Sequence, residues 1–564
     1  MTFSERHRRR ASRYLQFAAA AAVIGFAASP AAATTCSQLA SNFHRPNTTI
    51  TTAQSVPAGT FVTPTVPPQS ITGLPKFCRV AGFTTPTSDS RIGFEVWIPE
   101  SAWNLKYLQI GCGGFCGAIS YQFMADPLQR GYAVAATDDG HQASIVDASW
   151  AAGHPEKLVD FGYRALKETT EVAKALIATL KSSGARRSYF MGCSDGGREA
   201  LMEAQRFPRD FDGIIAGSPA NNWTNLFTGF LWNERALAAT SAGDLSPADI
   251  TLLSNAVLSQ CVGRDGGAST DKFLNNPLAC KFKPEKLSCS ATNTASCLAP
   301  DKIEAITKIF SGPPKIFPGY GPGGEASDPA DWPLWILGPG NPAFSLQGLF
   351  GNSYFQNMVF PNSGWTPNSF SIEENLHQAR VRTGAILNSV DPNLQPFKQR
   401  GGKLIHYAGW ADSAISPLNA IDYHKAVTSV MGGPRETGEF YRLFMVPGMA
   451  HCSGGPGANA FGQGGANGPH PSDPSSDILS ALDRWVELRI PPEQIIATKY
   501  RNDDPNQGVA FQRPLCPFPK IAKYKRQGGG STTDASSFEC SRNGGDGDHD
   551  DDRNHHRDER AENR

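Results

Sequence analysis

The fold prediction starts from residues 192–197, Gly-Cys-Ser-Asp-Gly-Gly. This stretch follows a strand-like run at 188–191 and precedes a helix-like run at 198–206. A G-x-S-x-G sequence between a strand and a helix is typical of a sharp turn that exposes a serine, and its glycines leave room for the neighbouring backbone. The stretch therefore makes Ser194 the candidate nucleophile.

Strand-like and helix-like segments alternate on both sides of this turn. Strand patterns lie at 94–99, 107–110, 132–137 and 211–217, and apolar residues recur at helical spacing over 161–181. This alternation predicts the class α/β, with a doubly wound, mostly parallel sheet. A glycine-rich loop at 111–117 follows one strand and the serine turn follows another, which matches the α/β-hydrolase core.

The strand–helix pattern is interrupted between about residues 222 and 385, where Pro, Gly, Asn and Trp are frequent. It resumes at 402–407 and 441–446. We therefore predict a large inserted lid domain. The predicted organisation is a signal peptide (1–33), the first part of the core (34–221), the lid (222–385), the second part of the core (386–540) and a disordered charged tail (541–564).

The first 33 residues have the pattern of a signal peptide. Three arginines at 8–10 precede a short apolar run at 17–28, and small residues at 31–33 offer a cleavage site. The apolar run is too short for a permanent membrane anchor. The protein is therefore expected to be secreted or periplasmic, with an uncleaved buried helix as the alternative.

The composition excludes some kinds of partner. The 52 acidic and 52 basic residues cancel, so nothing indicates a nucleic acid partner, and no second apolar run indicates a membrane. Twelve cysteines form an even set, which in a secreted protein is typical of a disulfide framework. The tail at 541–564 has almost no apolar residue and is expected to stay solvated.

Two residues after the later strands complete a candidate catalytic triad. A serine hydroxyl needs a base within hydrogen-bond reach and an acid that orients the base. In α/β-hydrolases the chain order is Ser, then Asp or Glu, then His. Asp412 follows one late strand and His451 the other, so they are the candidate acid and base. The alternatives are a helix-capping role for Asp412 and an ordinary loop position for His451.

The same chemistry needs backbone N–H donors for the oxyanion. The residue after the serine, Asp195, should supply one donor. Gly113 or Gly114 of the glycine-rich loop should supply the second.

Two cysteines flank this candidate pair. Cys193 directly precedes Ser194, and Cys452 directly follows His451. If the fold brings the serine to the histidine, it also brings the two cysteines together. An oxidising compartment would then join them and lock the nucleophile to the base.

These stretches resemble a known family. The serine turn at 192–197, the loop at 111–117, Gly-Trp-Ala-Asp at 409–412 and His-Cys at 451–452 together are similar to the tannase/feruloyl esterase family, which includes mono(2-hydroxyethyl) terephthalate hydrolase. The resemblance covers nearly all of 36–540, with further matches at 160–165 and 216–220. It implies a serine esterase without an organic cofactor.

The resemblance also implies disulfide pairs. It makes Cys193–Cys452 a bond beneath the catalytic site. The remaining family-like pairs are Cys36–Cys78, Cys261–Cys280, Cys289–Cys297 and Cys516–Cys540, and Cys112 and Cys116 are close enough in sequence to bridge within the glycine-rich loop.

A structural calcium is a further implication of the resemblance. Family members usually hold it in a lid loop of the form D-x-x-D-x-V-x-D-x-V between two cysteines, and calcium needs six to eight oxygen ligands. Asp265 and Asp271 match two of the aspartates, and Phe273 would supply a carbonyl. Val262 replaces the first aspartate, so a loop held only by its disulfide is the alternative.

The lid composition favours a neutral aromatic ester as substrate. Aromatic residues suited to a flat aryl acid occur at Trp332, Trp335, Phe344, Phe350, Tyr354, Phe355, Phe360 and Trp365. No arginine lies between Arg264 and Arg380, and Lys315 is the only lysine from 310 to 379. A free aryl carboxylate would favour a bidentate arginine. This disfavours a terephthalate monoester.

The substrate prediction therefore has an order. Feruloyl-type esters, free or attached to plant polysaccharide, come first and galloyl esters second. A peptidase and a non-catalytic binding protein on the same fold are the alternatives from other classes.

Overall fold

The structure, a computed structural model, describes residues 34–240, 245–325, 331–464, 472–525 and 530–542. The predicted signal peptide lies outside these residues, as does the predicted tail from residue 543 onward. No helix in the described residues has the length and apolar character needed to cross a membrane.

The strands of the described residues are β1 (Thr48–Val56), β2 (Gly59–Val62), β3 (Ser70–Leu74), β4 (Phe77–Thr84), β5 (Ile92–Pro99), β6 (Lys106–Ile110), β7 (Ala133–Thr137), β8 (Arg187–Cys193), β9 (Gly213–Gly217), β10 (Lys403–Gly409), β11 (Tyr441–Val446), β12 (Ile495–Tyr500), β13 (Val509–Leu515), β14 (Lys520–Tyr524) and β15 (Phe538–Arg542). The α-helices are α1 (Leu39–Asn42), α2 (Tyr121–Gln129), α3 (Pro155–Val159), α4 (Ala165–Lys181), α5 (Asp195–Arg206), α6 (Trp223–Ala238), α7 (Pro247–Cys261), α8 (Pro300–Ser311), α9 (Leu346–Tyr354), α10 (Ile372–Ala379), α11 (Ala385–Leu387), α12 (Gln395–Gln399), α13 (Pro417–Val430), α14 (Pro434–Gly438) and α15 (Ile478–Leu488).

Nine strands form the central sheet, in the order β1-β4-β5-β7-β6-β8-β9-β10-β11. The pairs β1–β4, β4–β5 and β5–β7 are antiparallel. From β7 to β11 every neighbouring pair is parallel. The predicted class, a mostly parallel sheet of the α/β-hydrolase kind, is confirmed.

Helices cover both faces of this sheet. Strands β7, β9 and β10 are buried along their whole length, as expected for parallel strands with helices on each side. Successive residues alternate between the two faces: Phe190 packs with residues of α4, α5 and α13, and Tyr189 with residues of α2 and α15. The β8 strand is thus held from both sides up to the serine turn.

The chain between β9 and β10 is helical in the described residues, from α6 to α12, and contains the predicted lid segment. Its aromatic residues share an apolar cluster with Phe115 of the glycine-rich loop and with Phe161. The lid segment therefore packs directly on the loop that follows β6.

The C-terminal strands form two antiparallel pairs, β12–β13 and β14–β15. In the segment that connects these pairs, the Phe518 N–H donates at 2.7 Å to the carbonyl of Leu443, which lies in the edge strand β11. The segment around Phe518 therefore covers part of the open edge of the sheet, which would otherwise expose unpaired backbone groups.

The parallel strands place the candidate site residues together at the carboxyl ends of the strands. Strands β6, β8, β10 and β11 lead respectively into the glycine-rich loop, Ser194, Asp412 and His451. Because these strands run in the same direction, the loops that follow them all lie at the carboxyl ends of the strands.

Candidate active site

Ser194 lies in a strained turn between β8 and α5. Its backbone has φ +66° and ψ −120°, a conformation that costs a residue other than glycine about 1–3 kcal/mol. Its N–H donates to the Gly217 carbonyl at 3.0 Å. A Cβ atom at Gly197 would lie 2.2 Å from that same oxygen, so only glycine fits there. The neighbouring strands thus hold the turn that the sequence predicts.

Asp412 and His451 form a hydrogen-bonded pair. The His451 Nδ1 lies 2.9 Å from the Asp412 Oδ2. The other carboxylate oxygen accepts the N–H groups of Ala414 at 2.9 Å and Ile415 at 2.8 Å. The Asp412 side chain is fully buried, so its orientation is fixed. With Nδ1 donating to this carboxylate, the His451 Nε2 is left to act as a base.

Ser194 and His451 line the same cavity, whose volume is about 460 Å³. The adjacent cysteines, Cys193 and Cys452, are joined in a disulfide with a Cα–Cα distance of 6.0 Å. Residues 259 apart in sequence are thereby covalently tied beside the candidate nucleophile and base.

All six predicted disulfides are present. Besides Cys193–Cys452, they are Cys36–Cys78, Cys112–Cys116, Cys261–Cys280, Cys289–Cys297 and Cys516–Cys540. No cysteine is left free.

The predicted oxyanion donors line this cavity. The backbone N–H groups of Asp195, Gly113 and Gly114 make no hydrogen bond within the described residues. In contrast, the Cys112 N–H donates to Glu199 at 3.0 Å. Asp195 and the two glycines therefore keep N–H groups that an oxyanion can use.

A buried charged cluster lies beneath these donors, and the sequence did not predict it. Arg198 Nη2 donates to the Asp195 Oδ2 and to the Phe161 carbonyl, each at 3.1 Å, and its Nη1 donates to the Gly162 carbonyl at 2.8 Å. Burial raises the pKa of Asp195 to about 7. Asp139 has its pKa raised well above the usual value, by burial and by nearby Glu199. Arg198 thus fixes the side chain of the residue whose N–H faces the cavity.

The cavity wall is largely apolar. Of the eight lid aromatics named from the sequence, Trp335 and Phe350 line it, with the Trp335 ring 5.1 Å from the His451 ring. Other wall residues that sequence reasoning missed are Ile119, Phe123, Ile145, Trp223, Leu226, Phe227, Phe230, Leu346 and Ile415. Much of this wall comes from α6, which also contributes Phe227 and Phe230 to the lid core.

The loop expected to hold calcium satisfies its carboxylates with nitrogen donors instead. Asp265 accepts backbone N–H groups from Gly267 at 3.2 Å and Asn275 at 2.6 Å. Asp271 accepts Arg513 Nη2 at 2.6 Å. Both partners of this ion pair are buried, with side chains 6% and 4% exposed. A guanidinium so close to Asp271 competes with a calcium ion for the same carboxylate, so these residues fit the ion poorly.

We therefore expect the loop to need no calcium. Chelation with EDTA should leave the melting temperature of the wild type unchanged. Arg513→Met should lower the free energy of unfolding by about 3 kcal/mol, because Asp271 then stays buried without its partner. Denaturant unfolding with and without EDTA measures both effects.

Lys523→Met on β14 is the matched control, because Lys523 is exposed and should cost less than about 0.5 kcal/mol. A wild-type melting temperature that falls in EDTA and recovers with added calcium would contradict the expectation.

A second prediction concerns the pH dependence of stability. Burial raises the pKa of Glu325 to about 7 from its ordinary 4.5. The folded protein therefore binds the proton of the Glu325 carboxyl more tightly than the unfolded chain does. The stabilisation that this gives at low pH is lost as the pH rises through about 7. Asp138, with a pKa raised to about 6, acts in the same direction.

Accordingly, the melting temperature should be higher at pH 5 than at pH 8, and Glu325→Gln should reduce this difference by about 2–4 °C. Thermal unfolding of both proteins at the two pH values tests this. An equal pH difference in the wild type and the variant would refute the role of Glu325.

Taken together, the fold and the site define a class of protein. A serine on a strand-to-helix turn, an Asp–His pair after later strands and free N–H groups beside the serine are the features of α/β-fold serine hydrolases. The chain belongs to the tannase and feruloyl esterase family, whose model matches residues 78–541. It is thus a carboxylic ester hydrolase, as the sequence predicts.

Individual relatives agree with this assignment. An uncharacterized esterase of Xanthomonas campestris pv. campestris is 40% identical, covering 88% of this chain and 89% of its own. A probable feruloyl esterase B-2 of Aspergillus flavus is 33% identical over 78% of this chain and 83% of its own. The crystal structure of feruloyl esterase B from Aspergillus oryzae covers 90% of this chain and 99% of its own, with a TM-score of 0.81 at 29% identity.

Proposed function

We propose that the protein hydrolyses esters of hydroxycinnamic acids, with feruloyl esters as the preferred class. The observation that carries this proposal is the lining of the cavity shared by Ser194 and His451. Among the described residues that line it there is no lysine, arginine or glutamate. The walls instead present apolar and aromatic side chains, which suit a flat, neutral aryl group.

The lining separates the candidate substrates by their polar groups. A terephthalate monoester would bring a carboxylate that finds no cation, and a buried unpaired charge is costly. A galloyl ester would bring three hydroxyl groups into a mainly apolar wall. A feruloyl group has one hydroxyl and one methoxy group, and Ser120 and Ser453 supply hydroxyls at the wall.

The geometry supports a two-step acyl transfer. The Ser194 Oγ attacks the ester carbonyl while the His451 Nε2 takes its proton, and Asp412 stabilises the imidazolium through Nδ1. The N–H groups of Asp195 and of Gly113 or Gly114 bind the oxyanion, where one donor contributes about 10²–10³-fold in rate. The imidazolium then gives its proton to the departing alcohol.

Water completes the reaction by the same steps in reverse. The His451 Nε2 takes a proton from water as the water attacks the acyl-enzyme carbonyl. Collapse of the second oxyanion releases the aryl acid and returns the proton to the Ser194 Oγ. These residues require no organic cofactor.

The proposal extends to location and natural substrate. Six disulfides favour an oxidising compartment, so we propose a secreted or periplasmic enzyme. The natural substrate that we propose for such an enzyme is a feruloyl ester attached to plant polysaccharide.

Steady-state hydrolysis of methyl ferulate, methyl gallate, monomethyl terephthalate and dimethyl terephthalate tests the proposal. The last two have the same aryl ring and differ by one charge. We expect methyl ferulate to have the highest kcat/KM, and the diester to exceed the monoester by about 100-fold or more because the monoester carboxylate finds no partner.

If monomethyl terephthalate were hydrolysed as fast as dimethyl terephthalate, the preference for a neutral aryl group that we infer from the cavity lining would be wrong. If the folded protein hydrolysed none of the four, the proposed activity would be wrong and ligand binding without turnover would be the better description.

A further inference from the structure

We propose that a second cavity, beside strand β11, binds an acidic oligosaccharide. This β11 cavity lies between α13, the β14–β15 pair and the lid segment around Asn276, and has a volume of about 910 Å³. None of its lining residues lines the cavity of Ser194 and His451.

The charged residues that line the β11 cavity are all cationic. Its lining includes Lys425, Arg442, Lys520 and Arg542, and no aspartate or glutamate among the described residues. The whole chain has a formal net charge of +0, so this positive charge is a local concentration. A lining of this kind attracts anions and disfavours cationic ligands.

Strand register brings two of these cations together. In the antiparallel pair β14–β15, Lys520 lies directly opposite Arg542. Residues directly opposite each other in such a pair have neighbouring side chains. Neither Lys520 nor Lys425 has an ion-pair partner within the described residues, whereas Arg442 pairs with Glu493 at 3.1 Å. Lys520 and Lys425 are therefore the cations of this lining that a bound carboxylate could pair with.

Uncharged groups in the lining suit sugar hydroxyls and sugar faces. Asn276 is 3% exposed, and its Oδ1 has no hydrogen-bond partner in the described part of the chain. The His424 ring lies 5.1 Å from the Tyr441 ring and 5.8 Å from the Phe518 ring. Burial lowers the pKa of His424 to about 4, so its neutral imidazole can both donate and accept hydrogen bonds.

Size distinguishes an oligosaccharide from a single aryl acid. The β11 cavity has about twice the volume of the candidate active site, 910 Å³ against 460 Å³, near the upper limit for ligand cavities. The choice of a sugar rests on the proposed function, in which the ester is attached to a polysaccharide, and the choice of an acidic sugar rests on the cationic lining. Binding the glycan at a second site would raise the effective concentration of its esters.

Calorimetric titration of the full mature protein with trigalacturonate, against neutral xylotriose, tests the proposal. We expect trigalacturonate to bind and xylotriose to bind at least about 10-fold more weakly, with added salt weakening the acidic ligand selectively. The double variant K425E/K520E should weaken trigalacturonate binding by at least about 10-fold, because each change reverses an exposed charge.

Lys523→Glu is the matched control. Lys523 lies on the same strand as Lys520 but does not line the cavity, so binding should change by less than about 2-fold. Melting temperature checks that each variant is folded, and methyl ferulate kcat/KM should stay unchanged in all of them.

Two results would overturn the proposal. One is that xylotriose binds as tightly as trigalacturonate. The other is that free ferulate, without any sugar, binds and depends on Lys425 and Lys520 in the same way. Absence of trigalacturonate binding by a protein that hydrolyses methyl ferulate would also overturn it while the proposed function stands. Binding without methyl ferulate hydrolysis would support the second site and refute the proposed activity.

Discussion

Ser194→Ala is expected to lower kcat for methyl ferulate by at least about 10⁴-fold. The change removes the one oxygen that forms the acyl-enzyme, whereas the Asp412–His451 pair and the oxyanion N–H groups remain in place. These remaining groups account for the residual rate above that in water. Steady-state kinetics with enough of the variant to detect a slow rate measures the loss of kcat. Mass spectrometry of the wild type tests whether the acyl group is bound to Ser194.

Ser453→Ala provides the control within the same cavity. Ser453 lines the cavity and follows Cys452, but the proposed steps do not use its hydroxyl. Its kcat should change by less than about 5-fold, with any effect falling on KM. If Ser194→Ala retained more than about 1% of the activity, another group would have to be the nucleophile.

The parallel part of the sheet could be predicted from sequence because its strands are buried on both faces. Runs such as Ala133–Thr137 and Gly213–Gly217 read as continuous apolar segments. In the antiparallel part, the predicted strand at 94–99 lies within β5, but β1 and β4 were not predicted. Thr48–Val56 has exposed or half-buried positions along almost its whole length and few apolar residues. Its strand conformation depends on pairing with Phe77–Thr84, which a local pattern does not show.

The candidate site divides in a similar way. Ser194, Asp412 and His451 stand after strands in a recognisable order, so the sequence places them. The cavity wall and the charged cluster around Arg198 depend on packing between distant segments. Arg198, for example, donates to carbonyls 36 and 37 residues earlier, and no spacing rule predicts that contact.

The fit of the loop to calcium also depends on contacts between distant segments. Asp265 and Asp271 were recognised from the loop sequence, but the partner of Asp271 is Arg513, 242 residues later. The loop sequence therefore shows which carboxylates are present, whereas only the tertiary structure shows that a guanidinium pairs with one of them. The sequence also could not show which lid aromatics line the candidate active site, because that depends on tertiary packing. Trp335 lines the cavity, whereas Phe355 is buried in the lid core.

Removal of the Cys193–Cys452 bond, as the double variant C193S/C452S, is expected to reduce both stability and activity. The bond closes a loop of 259 residues, for which the chain-entropy relation gives about 5.6 kcal/mol of stabilisation. It also joins the residues next to Ser194 and His451. Looser positioning of nucleophile and base should lower kcat by about 10²-fold, with a smaller effect on KM. Denaturant unfolding and methyl ferulate kinetics measure the two effects separately.

The double variant C289S/C297S isolates the effect of position. That bond closes a segment of only 8 residues in the lid, and the same relation gives about 2.5 kcal/mol. Its kcat should remain within about 2-fold of the wild type, because neither cysteine lines the candidate active site. If C193S/C452S lost stability but kept full kcat, the bond would serve the fold alone, and the turns after β8 and β11 would position Ser194 and His451 without it.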